Sequence, residues 1–77
     1  MGTLQQAVIH LEAGDWEAAH AIAQADETAV GSWAHGIVHL MEGDLGNADY
    51  WYRKADRVRP ESAEIAAEIA ALKAALG

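Results

Sequence analysis

His35 and His39 lie four residues apart, and Glu42 follows three further on. No other stretch of this chain comes as close to chemistry in residue type and spacing. On a helix, spacings of four and three place all three side chains on one face. Two imidazoles and a carboxylate on such a ridge can ligate zinc or nickel. A metalloprotease helix has a different order, with Glu directly after the first His as general base. Here Gly36, Ile37 and Val38 separate the histidines, so no base is in place. The competing account is packing: a buried imidazole can lie against its neighbours and donate to a carbonyl or hydroxyl.

Other catalytic material is sparse. Thr3, Thr28, Ser32 and Ser62 all sit where helix caps are expected, the commoner use of a hydroxyl. There is no Gly-x-Ser-x-Gly and no phosphate-cradling glycine loop. The one pair of adjacent acids, Asp26-Glu27, falls in a predicted loop, where such pairs are usually solvated. No catalytic residue is assigned, and neither enzymatic activity nor a cofactor is expected.

These side chains must be positioned by a chain of 77 residues, which predicts one domain over 1–77. A core of this size contributes only about 3–5 kcal/mol, and small domains often add disulfides, metals or self-association. Cysteine is absent, which removes disulfides and thiolate metal sites and fits a reducing, cytoplasmic setting. The longest run without Asp, Glu, Lys or Arg, Thr28 to Met41, is 14 residues and carries two histidines. That is too short to span a bilayer, and the N-terminal stretch has no cationic leader. A soluble protein without membrane contact is expected. The formal charge is −7, and residues 1–52 hold eight acids with no Lys or Arg. Such a surface repels phosphate backbones, so nucleic-acid binding is not expected. The basic run at 53–59 reads as a solvated helix end, complementing the helix dipole.

Helical spacing recurs along the chain. Leu4, Val8 and Leu11 form one stripe; Leu45, Ala48, Tyr52 and Ala55 another; Ile65, Ile69, Leu72 and Leu76 a third. Gly14-Asp15 and Gly43-Asp44 read as a left-handed helix end followed by a cap for the next helix. Pro60 fits the first turn of a last helix. Five helices are predicted, at about 3–13, 15–25, 30–42, 44–58 and 60–76, with either Thr28 or Ser32 capping the third.

Aligning the two Gly-Asp pairs exposes a repeat with a period of 29 residues: His10 falls on His39, Leu11 on Leu40 and Ala19 on Ala48. His39 thus has a counterpart at His10, which a metal could recruit, while His20 has no evident partner. Gly36, His39, Gly43-Asp44, Ala48, Tyr52, Ala55 and Pro60 together resemble the tetratricopeptide repeat. The match is ungapped over the second copy. The first copy keeps Ala7, His10, Gly14-Asp15, Ala19 and Ala23 but has Asp26 in a small-residue slot, and its period falls short of the usual length of about 34. Trp33 is displaced by one position, and His35 takes a slot that usually holds leucine. "EGDLGNADYWYRKA" is also similar to a stretch of short bacterial proteins to which no activity attaches.

The resemblance implies an all-α fragment of a right-handed superhelix. Two tetratricopeptide-like hairpins, about 2–28 and 29–60, would be closed by a capping helix at about 60–76. It also implies a binding face on the first helix of each repeat, comprising Leu4, Val8, Leu11, Val30, Trp33, Ile37, Leu40 and Met41. The expected function is protein–protein interaction through that face, with a protein partner or a second copy in a homo-oligomer. Burial of the face inside the chain's own core is the bland alternative. The alternative function is a metal-binding protein using His35, His39 and Glu42. In the aromatic run Tyr50-Trp51-Tyr52, Tyr52 is expected in the core, Trp51 against the last helix and Tyr50 near solvent.

Overall fold

The computed structural model describes residues 2–77, with the backbone alone at Ser62. The cap expected from the Ser62 side chain therefore lies outside the described residues. Among these, α1 spans Leu4–Glu12, α2 Trp16–Ala23, α3 Ala29–Glu42, α4 Leu45–Lys54 and α5 Ile65–Ala75, with a single 3-10 turn at Ser62–Glu64 before α5. No strand occurs among the described residues, and the fold is all-α as expected. No helix is long and apolar enough to cross a membrane.

Local chemistry explains each start. Thr3 accepts from the Gln6 N–H at 3.2 Å while the Gln6 side chain accepts from the Thr3 N–H at 2.9 Å, a reciprocal capping box. Asp15 and Asp44 cap α2 and α4, accepting from the Ala18 and Asn47 amides. Thr28 caps α3 through the Gly31 N–H at 3.0 Å, which settles the choice of cap. Ser32 is buried inside α3 and caps nothing.

The ends are equally legible. Gly14 and Gly43 adopt φ of 80° and 83°, a left-handed conformation that costs glycine nothing. Across each turn the following Asp N–H reaches back to a histidine carbonyl, Asp15 to His10 at 2.8 Å and Asp44 to His39 at 2.9 Å. α1 and α3 therefore close in the same way. α4 ends at Lys54, short of the expected 58. Asp56 takes φ 59° and the Arg57 N–H bonds to the Tyr52 carbonyl at 2.9 Å. This is the same closure built without glycine, which a search for Gly could not find. The last helix also starts late: Pro60 lies outside any helix, and α-helix begins only at Ile65.

α3 is the central element. It packs against α4, α2, α5 and α1, and every residue from Gly31 to Leu40 is buried. Gly36 permits the closest approach, because a Cβ there would lie 2.6 Å from the Tyr52 ring. The Glu68 carboxylate of α5 accepts from Trp33 Nε1 at 3.1 Å and from the Tyr52 hydroxyl at 2.7 Å. Burial and this carboxylate hold the Tyr52 hydroxyl protonated far above its ordinary range. A Lys73–Glu12 pair at 3.2 Å joins α5 to α1. Thus α5 lies over α1 and α3, the helices on which a partner was expected.

Candidate metal centre

His35 and His39 project from α3 one turn apart, and His20 from the last turn of α2 meets them. Ala19 and Ala23 are the side chains that α2 buries, and their small size brings the His20 ring to α3. Its ring centroid lies 4.6 Å from that of His35 and 5.6 Å from that of His39, edge-on to both. His35 and His39 stack at 4.9 Å. Each of the three can offer one ring nitrogen such that all three nitrogens lie within 4.8 Å of one another. A tetrahedral zinc, with bonds of about 2.0–2.1 Å, needs nitrogens about 3.3 Å apart. Gathering them requires ring movements of about 1.5 Å or less, and half-buried His20 is the ring with room to move.

The three rings are not equivalent. His35 is 5% exposed, and its Nδ1 is buried with no hydrogen-bond partner. Trp51 lies flat on its other face, 3.8 Å away and tilted by 10°. Burial, with repulsion from His20 and His39 behind it, pushes its pKa down from 6.5 to about 4. The ring is therefore neutral at physiological pH, the form that binds metals. An unpaired polar atom inside a core is costly and calls for an explanation.

His39 faces two ways. Its Nδ1 lies 2.6 Å from Glu42 Oε1. An ionised carboxylate can only accept, so Nδ1 donates to it, and in the neutral ring Nε2 is the nitrogen left for a metal. A carboxylate on the far nitrogen is the usual companion of a metal-bound histidine, fixing tautomer and ring orientation. His20 and His39 both lie in the last turns of their helices, whose carbonyl ends favour positive charge.

The structure redistributes the roles assigned from sequence. His35 and His39 are together, as spacing required. Glu42 sits behind His39 on its outer nitrogen, and the third ring comes from His20, the histidine that sequence left without a partner. His10 stays apart, 4.0 Å from Asp15. The repeat hides His20, because its counterpart one period later is Asp49. The available signal was its position beside Ala19, a small packing residue that brings α2 close to α3. A further cluster of His39, Glu42 and Asp44 is occupied by structural work. Glu42 bonds His39, and Asp44 caps α4 and accepts from the Asn47 side chain at 2.7 Å, bonds that hold its carboxyl below the usual range.

The expected partner face is placed differently. Val8, Leu11, Trp33, Ile37 and Leu40 are buried in the chain's own core, and Leu4, Val30 and Met41 are half-buried at its margin. Trp33 is 4% exposed, bonded by Glu68 and covered by the Arg57 guanidinium 3.6 Å above its ring. Trp51, expected against the last helix, is the residue on His35, and Tyr52 is the one that reaches α5. Tyr50 is exposed. Comparison with known proteins gives no match: no family model, no curated protein and no solved structure matches the chain.

Proposed function

We propose that this chain is a small helical protein that holds one divalent transition metal through His20, His35 and His39, with Glu42 orienting His39. The observation that carries the reading is the cluster of three imidazoles with one nitrogen each within 4.8 Å of one another, the most buried of them, His35, having an Nδ1 without a partner. A metal ion would give the buried His35 ring a polar partner. An all-imidazole donor set suits zinc, nickel or copper and not magnesium or calcium, which take oxygen ligands. Three protein ligands leave a fourth position for water or another donor. The test is calorimetric titration of zinc into EDTA-stripped protein. One ion per chain is expected, with loss of binding in His35→Ala and His39→Ala. Absence of both heat and thermal stabilisation at millimolar zinc overturns the proposal.

A second reading, protein–protein interaction, is favoured by Ile9. This residue is 62% exposed on the rim of an apolar groove between α1 and α5, with Val8, Leu76 and the Glu12–Lys73 pair as neighbours. Exposed apolar surface of this kind can mark contact sites. The occupant would be a second copy of the chain. Sedimentation of wild type against Ile9→Lys tests this, with a dimer that the substitution disperses as the expected result and a monomer in both as the refutation.

A further inference from the structure

Among the helices of this fold, α2 fully buries the smallest side chains, with Trp16 packed part-buried against the core. It fully buries two alanines, Ala19 and Ala23. Among the described residues, no hydrogen bond or ion pair from a side chain of α2 reaches another helix. The contrast with α5 is direct, since α5 buries Ile69 and Leu72 and is tied down through Glu68 and Lys73. The polar side chain that α2 directs into the fold is His20, and its ring edges against His35 and His39 are the contact it makes there. α2 packs on both α1 and α3, and His20 is the polar side chain it brings to the α3 side.

We propose that the metal bound by His20, His35 and His39 acts as a staple between α2 and α3, so that ordering of the first helical pair depends on metal occupancy. This inference rests on the metal-binding reading above and adds a role for the ion. His35 and His39, one turn apart on a single helix, constrain nothing beyond α3 when they bind. A ligand from His20 instead ties the helix with the smallest buried side chains to the most buried helix of the fold. Small domains without disulfides commonly recruit a metal for this purpose. Any opening of α2 then has to break a metal bond. With free zinc at about 100 times its dissociation constant, such openings become rarer by up to about 100-fold, less whatever affinity His35 and His39 keep on their own.

Amide hydrogen exchange on the full chain, with EDTA or with zinc, tests the staple. Without metal, the amides of 19–24 are expected to exchange faster than those of 33–42. With zinc at about 100 times its Kd, exchange across 19–24 should slow by up to about 100-fold. In His20→Ala, zinc should still bind His35 and His39 more weakly, yet leave 19–24 as fast as without metal. Zinc that binds and protects 33–42 while leaving 19–24 unchanged in wild type overturns the staple but leaves the metal site standing. The same holds if His20→Ala retains the full protection of 19–24. Failure of zinc to bind at all overturns both.

Discussion

Lowering the pH should unfold this protein through His35, and substitution of that one residue should remove the effect. The folded ring titrates at about 4 against an ordinary 6.5, chiefly because it is buried. Between those values the unfolded chain binds a proton that the folded chain refuses, so stability is full above about 6.5 and falls as the pH drops toward 4. At about 1.4 kcal/mol per pH unit, the gap amounts to about 3 kcal/mol in all. About 2 kcal/mol of that is lost between pH 7 and pH 5. In a domain with only a few kcal/mol to lose, this shifts the melting temperature by about 8–16 °C. The assay is urea denaturation followed by circular dichroism, at pH 7 and pH 5 in EDTA, for wild type and His35→Leu. Leucine fits the slot by size and has no proton to take up, so the variant should lose about 2 kcal/mol less than wild type over the same range. At pH 7 it should be at least as stable as wild type, because the orphaned nitrogen is gone. Equal acid losses in the two proteins would refute the argument that burial holds this ring neutral.

Three other outcomes follow from the packing and the site. Glu42→Ala removes the acceptor on His39 Nδ1 and should weaken zinc binding about 10–100-fold by calorimetry, with His35 and the fold intact. Glu68→Ala leaves both Trp33 Nε1 and the Tyr52 hydroxyl without their acceptor and should cost about 2–4 kcal/mol in thermal denaturation; an unchanged melting temperature would show that α5 is not held through this carboxylate. Gly36→Ala drives a methyl into the Tyr52 ring and should cost about 1–3 kcal/mol from overpacking. The helix propensity gained recovers only about 1 kcal/mol of it, so chemical denaturation should show a net loss.

The helices were legible because their punctuation is local. Thr3, Asp15, Thr28 and Asp44 cap through bonds to amides three residues on, and Gly14 and Gly43 end helices by a conformation that the residue type announces. Asp56 ends α4 in the same conformation without that announcement, and the predicted helix ran on to 58. The site was half legible for a related reason. His35 and His39 share one helix, so spacing alone puts them together. His20 joins them through the packing of α2 on α3, set by Ala19 and Ala23, and that is tertiary information. The same limit applied to the apolar face. Helical spacing revealed that α3 is apolar on more than one side, but not that the chain's own α5 would cover Trp33.

The most direct test of the metal centre is X-ray absorption at the zinc edge on protein loaded with one equivalent of zinc. The account predicts three imidazole nitrogens at about 2.0–2.1 Å, with one further light atom completing the shell, and a fall to two imidazoles in His20→Ala. A spectrum dominated by carboxylate and water oxygens, or one that His20→Ala leaves unchanged, would contradict it.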